Sequence, residues 1–267
     1  MNQFFNNNRT FLYSRLKFNL NRKMLFLSLG GYFGVLFMIS FIIAASFKTG
    51  TTDIFIPLHI TSFLIMLFLG CAVIAGRSFQ DMNTSEKALV QLMIPASGFE
   101  KFIVSAVFSS IGWIIISFVS YELFAILVNS FWSGVYGLEF TFFHTYSMPD
   151  IDGEALKYII YGYFGLHSFF FLGATAFKKY PIAKTALASF LINQAYSILF
   201  IITILILFGS FTQFGESMDS IIDKLQAIDL EIEDIKRYSI IPEIILFYML
   251  PITLYVAAYF KLKEREV

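Results

Sequence analysis

The chain has 267 residues, of which 57% are hydrophobic and only 14% charged, and phenylalanine alone occurs 34 times. A soluble domain of this size carries about a quarter charged residues, so the balance points to a bilayer and away from a soluble fold. The net charge is zero, which implies no acidic polymer and no nucleic acid as a partner. The one cysteine, Cys71, lies in an apolar run and cannot form an internal disulfide.

The first 23 residues form a basic arm in which Leu12, Leu16 and Leu20 recur at helical spacing, with Phe4, Phe11 and Phe18 close by. That pattern predicts an amphipathic helix lying in the membrane interface. A bilayer crossing needs about 20 mainly apolar residues. Six stretches meet this: 24–47, 57–76, 103–128, 157–176, 185–208 and 241–260. The first follows a long polar arm and is too long for a signal peptide, so it is read as a permanent span. The predicted class is therefore all-α, a single polytopic domain over 1–267 with six transmembrane helices.

Small residues Gly30 and Gly34 in span one, and Ala72 and Gly76 in span two, suit close helix packing within one subunit. Pro57 is placed to open span two and Pro242 to open span six. Pro251 falls inside span six, where it predicts a kink and a candidate hinge.

The connection 77–102 is patterned. Asp81 and Asn83 are placed to cap a short helix over 86–94, whose apolar face is Ala88, Leu89, Leu92 and Met93. Pro95 ends that helix. Ser97 and Glu100 then form an S-x-x-E capping box that starts the next one. The outer loop 129–156 carries Glu139, Asp150, Asp152 and Glu154 and no Lys or Arg. The segment 209–240 is acidic and amphipathic, with Met218, Ile221, Ile222, Leu225, Ile228, Ile232 and Ile235 on one stripe. It predicts helix outside the bilayer core.

Fourteen of the nineteen Lys and Arg residues lie in the arm, the connection 77–102, the connection 177–184 and the C-terminal tail. Positive charge marks the cytoplasmic side, so both termini are expected in the cytoplasm, as an even number of spans also requires.

No GxxxxGK[ST], HExxH, CxxC or GxSxG occurs, and the three histidines, His59, His144 and His167, are far apart in sequence. "PDIDGEA" (149–155) starts like a calcium loop, but its later ligand positions do not match. No catalytic, cofactor or metal residue is assigned. Ionisable residues inside a membrane are costly and mark function by default. Glu122 in span three and His167 in span four are therefore candidates for a translocation path, with helix–helix hydrogen bonding as the alternative reading. For Asn193 and Gln194 in span five, hydrogen bonding across helices is preferred.

The stretch "FQDMNTSEKALVQLMIPASGFEKF" (79–102) resembles the connection between the second and third spans of ABC transporter permeases of the type-2 exporter class, closest to a Bacteroidetes-like group with an "LPAS..EKF"-like stretch. Here Ile94 stands at its first position, followed by Pro95, Ala96, Ser97, Glu100, Lys101 and Phe102. The layout of arm, six spans and an outer element before the last span is similar over nearly the whole chain. The resemblance implies a permease subunit of the bacterial inner membrane, an exporter that pairs with a second permease chain, either a second copy or a sister subunit. It implies that residues 82–95 are a coupling helix docking on a separate cytosolic ATPase, which would carry the ATP and Mg. Glu86 and Lys87 would be its polar contacts and Leu89, Leu92, Met93 and Pro95 its apolar and shape-defining ones. The acidic element 209–240 departs from that family's apolar re-entrant half-helices. Two other readings stay open: a non-transporting membrane anchor or sensor that recruits a cytosolic protein, and a membrane-embedded lipid-modifying enzyme.

Overall fold

The computed structural model describes residues 5–46, 52–83, 93–136, 153–208, 216 and 245–266, and those residues contain helix and no strand. Helix α1 is Asn7–Ser46, α2 is Thr52–Arg77, and a 3-10 turn follows at Gln80–Met82. Helices α3 (Gly98–Val107) and α4 (Trp113–Tyr136) are joined by a π-helical turn, Phe108–Gly112. Helix α5 is Gly153–Ala176 and α6 is Pro181–Phe208. A second π-helical turn, Ile245–Met249, leads into α7, Leu250–Glu266.

Among the described residues, four helical stretches are long and apolar enough to cross a membrane: Phe63–Met82, Gly98–Leu127, Gly153–Ala176 and Pro181–Ile206. A fifth follows if the two parts of α1, Asn7–Leu20 and Leu25–Ile39, are counted as one bent span. This is compatible with a multi-pass membrane protein. The bend between those two parts is 54°, at the junction predicted between arm and span one.

Helix α5 is the centre of the bundle, with α2 and α7 packed along it and the start of α6 beside it. One core cluster joins Tyr32 and Leu36 of α1, Phe63, Leu67 and Cys71 of α2, Trp113, Tyr121 and Phe124 of α4, and Tyr163 of α5. A second joins Ala75 and Phe79, Phe102, Phe171 and Ala174, and Ala258 and Leu262. This second cluster lies at the end of the bundle where the basic segments meet. There Asn6 and Arg9 touch Glu100, Lys17 touches Ser78, and Arg265 touches Asn83 and Ala174.

Several expectations change. Gly30 and Gly34 face open space, so they make no close packing within the subunit among the described residues. The close approaches are at other glycines. A Cβ at Gly70 would overlap the Trp113 indole, whose Nε1 donates to the Leu67 carbonyl at 3.0 Å. A Cβ at Gly173 would overlap Thr185, and one at Gly76 would lie 2.6 Å from Ile182 Cγ1. Pro57 does not open α2, because the helix already runs from Thr52. Asn83 ends the 3-10 turn, its amide donating to the Gln80 carbonyl at 3.1 Å; the helix it is expected to cap lies outside the described residues, over 84–92. Pro251 is the second residue of α7, one residue beyond the π turn Ile245–Met249. The proline ring clashes with the carbonyl four residues back, here Phe247. A wider turn at that place relieves the clash and accounts for the predicted distortion. Pro242, the helix over 86–92 and the segment 217–240 lie outside the described residues.

The glycine contacts predict a contrast. Gly173→Val or Gly70→Val should destabilise the protein by about 1–3 kcal/mol through overpacking, read as a lower melting temperature in detergent. Gly30→Val and Gly34→Val should leave it unchanged. Equal losses at all four sites would refute the packing described.

Candidate functional site

The basic end of the bundle is organised around one carboxylate. Ser97 is the N-cap of α3, and its Oγ accepts from the Glu100 amide at 3.2 Å. The Glu100 side chain reaches back, Oε2 accepting from the Ser97 amide at 2.8 Å. This is the capping box expected from S-x-x-E. The other carboxylate oxygen goes elsewhere in the chain. Oε1 accepts from the Asn6 amide at 2.7 Å, at the start of α1, and from Arg9 Nη2 at 3.1 Å. Glu100 thus closes the N-termini of two helices and holds an arginine, while fully buried. Anionic groups are favoured at helix N-termini by the exposed amides and the helix dipole.

The arm turns its polar side to the protein. Arg9, Tyr13 and Lys17, spaced four residues apart, face inward: Tyr13 is buried and Lys17 Nζ donates to the Ser78 carbonyl at 3.2 Å and to Ser105 Oγ. Lys17 also lies 5.8 Å from the centre of the Phe79 ring. The apolar residues Phe11, Leu12, Leu16 and Leu20 point outward. Between the arm and α3 runs an open apolar groove of about 520 Å³, with Thr10, Phe11 and Ser14 on one wall and Ile103, Val107 and Phe108 on the other. At the other side of this end, Arg265 of α7 donates to the Ala174 carbonyl at 3.3 Å, in the last turn of α5, and to Asn83 Oδ1 at 3.5 Å. A cation at a helix C-terminus complements its unpaired carbonyls.

Of the residues singled out for ATPase coupling, Glu86, Lys87, Leu89 and Leu92 lie outside the described residues. Met93 and Pro95 are described, and both are exposed. Among the described residues Met93 is the most exposed large apolar residue, at 83%. It projects from the connection only four residues before the Ser97 cap, which is held in place.

His167 is fully buried on α5. Its Nε2 lies 2.8 Å from Ser109 Oγ in the first π turn, and its Nδ1 lies 2.6 Å from the Tyr255 hydroxyl of α7. The Ser109 hydroxyl donates to the Ser105 carbonyl at 2.7 Å. The pattern is satisfied if Nε2–H donates to Ser109 and Tyr255 donates to Nδ1. In that neutral tautomer Nε2 carries the proton and has no free lone pair with which to activate Ser109. Next to it, Tyr163 donates to the Ser110 carbonyl at 2.9 Å, a backbone group of the widened turn. Glu122 is half-buried on α4. It lies thirteen residues beyond Ser109, or about 20 Å along the helix at 1.5 Å per residue. The structure therefore does not bring Glu122 and His167 together. Pro251 is buried at the start of α7, four residues before Tyr255.

The sequence marked Ser97, Glu100 and His167 but not their distant partners. Asn6, Arg9, Ser109 and Tyr255 carried no signal of their own, because serine and tyrosine are common in apolar helices and the arm's asparagines look like a polar tail. No group of three or more metal-ligating side chains occurs among the described residues. No protein family, curated protein or solved structure matches the chain.

The Glu100 junction makes a directional prediction. Glu100→Ala should free the arm, removing charge-assisted bonds worth about 3 kcal/mol. Arg9→Ala should cost under about 1 kcal/mol, because that side chain is partly exposed and screened. Hydrogen exchange over residues 7–17 reads both, and equal protection in Glu100→Ala and the wild type would refute the junction.

Proposed function

We propose that the chain is the permease subunit of an ATP-driven ABC transporter of the type-2 exporter class. In this reading it sits in the bacterial inner membrane with six spans, both termini and the connection 77–102 in the cytoplasm, and the arm along the inner interface. α7 with its π turn is then the sixth span, and the acidic segments face outward. The chain contains no Walker sequence, so ATP would be bound and hydrolysed on a separate subunit.

One observation carries the reading. Met93 stands 83% exposed beside Pro95, on a connection whose far end is fixed by the Ser97–Glu100 capping box. An exposed apolar residue on a rigid base suits docking into a groove of a partner protein. The base also contacts the arm through Asn6 and Arg9, so a push on the connection would be transmitted to α1 and α3 together. The gathering of the basic segments at this same end supports its cytoplasmic placement.

The anchor or sensor reading rests on the same exposed residue, and stimulation of ATP hydrolysis separates the two. Met93→Asp, and likewise Leu89→Asp or Leu92→Asp, should abolish co-purification with a Walker-motif ATPase encoded beside this protein, at least tenfold, with the membrane fold intact by melting temperature. Wild-type protein that neither binds that ATPase nor alters its hydrolysis rate in lipid would overturn the proposal.

A further inference from the structure

The groove between the arm and α3 has no part in the coupling just described. Its walls are the first turns of α1, from Asn7 to Ser14, and the later part of α3 with Phe108 of the π turn. Its volume of about 520 Å³ falls within the roughly 300–1,000 Å³ of sites that take a small molecule.

The surface it presents is hydrocarbon. Thr10 Oγ1 donates to the Asn6 carbonyl at 2.9 Å and Ser14 Oγ to the Phe11 carbonyl at 2.7 Å, so both hydroxyls turn back on the arm. The facing wall is Ile103, Val104, Val107 and Phe108. A water molecule needs several polar partners to stay in such a place, and a peptide needs partners for its backbone amides and carbonyls. The walls offer neither. Phe11 and Val107, both exposed, flank the groove, so in the proposed membrane placement it opens on lipid. A gap left there forfeits dispersion contacts along both walls. An alkyl chain fills it and leaves no hydrogen bond unmade.

The neighbouring cations select the lipid. Residues 1–23 contain five Lys and Arg and no acid. Arg9 is met by Glu100, and Lys17 by Ser78 and Ser105. Arg15 and Arg22 are exposed and form no ion pair among the described residues. Phe11, Arg15, Phe18 and Arg22 follow one another at steps of four, three and four residues, a single stripe along the arm that begins at the groove. A guanidinium matches a phosphate with two parallel hydrogen bonds, and basic residues at the membrane surface favour anionic lipid.

We propose that this groove binds one anionic phospholipid, with an acyl chain between the arm and α3 and the phosphate on Arg15 and Arg22. The lipid would hold the arm to the start of span three from the bilayer side, as Glu100 holds it from the protein side. The site rests on the membrane placement proposed above and is independent of the ATPase.

The test uses the full chain in phosphatidylcholine vesicles with a minor fraction of phosphatidylglycerol that carries a photoreactive diazirine on its acyl chain. The label should concentrate on residues 7–14 and 103–108. Leu191, exposed on α6, reports the lipid that surrounds any span. Arg15→Gln should lower labelling of the groove about fivefold, the effect of one arginine on an anionic lipid, and Arg15→Lys should restore most of it. Phosphatidylcholine carrying the same diazirine should label the groove no more than α6 and should not respond to Arg15→Gln. Val107→Trp, at an exposed position, should fill the groove and remove its label while α6 keeps its own. Equal labelling of groove and α6 by both probes would overturn the site, and so would labelling that survives Val107→Trp. A labelled α6 beside an unlabelled groove, as when another stretch of protein or a second copy fills it, also sinks the site alone. An α6 labelled by neither probe sinks the membrane placement instead.

Discussion

A buried carboxylate is tolerated only when its charge is met by well-placed donors, and Glu100 is met from two ends of the chain. The three hydrogen bonds its carboxylate accepts join the start of α3 to the start of α1 across more than ninety residues of sequence. Ionised carboxylates accept several donors at once, so one side chain does the work of two separate caps. Removing it would leave the Asn6 and Ser97 amides, at two helix N-termini, without their acceptor. That asymmetry makes the junction a fixed point from which the arm and the connection are both held. Arg265 does the opposite task on the other side of the same end, meeting the last carbonyls of α5. Anion at two N-termini and cation at a C-terminus: the macrodipoles of three helices are matched by charge at one face of the bundle.

Seen from this fixed point, the arm's amphipathicity has a definite sense. In a soluble protein an amphipathic helix buries its apolar face. Here Arg9, Tyr13 and Lys17 turn inward and Phe11, Leu12, Leu16 and Leu20 turn outward. Apolar surroundings would suit that arrangement. The same logic applies to α6, whose crossing stretch would be an aggregation hazard in water and is ordinary in lipid. The composition and the geometry are thus both compatible with a membrane.

The helices were legible in the sequence because membrane crossing imposes a length and a polarity that composition alone displays. The capping box was legible because it is local, with Ser97 and Glu100 three residues apart. The second half of Glu100's role was not, because nothing in "NNNRT" says where its amides and guanidinium will dock. The Gly30–Gly34 spacing misled for a related reason. Small residues permit close approach but do not say which helix comes near, and here Gly70, Gly76 and Gly173 have that part. The π turns were hidden as well. Pro251 signalled trouble in its helix, but nothing comparable marks Phe108–Gly112, where the widened turn is defined by what α5 brings to it.

That first π turn bears on where motion can originate. Ser109 and Ser110 sit on consecutive positions of it, and each is held by a different residue of α5: one by His167, the other by Tyr163. Tyr255 then ties His167 to α7. The helices α3, α5 and α7 are cross-linked at mid-bundle by neutral hydrogen bonds in a low-dielectric interior, where each broken bond leaves a polar group unsatisfied. Such a node resists separation of the three helices and lets them move as a body. Helix α6 stands outside it, attached near its start through Ile182 and Thr185. A push at the basic end would therefore move α3, α5 and α7 together, with α6 the element free to shift against them.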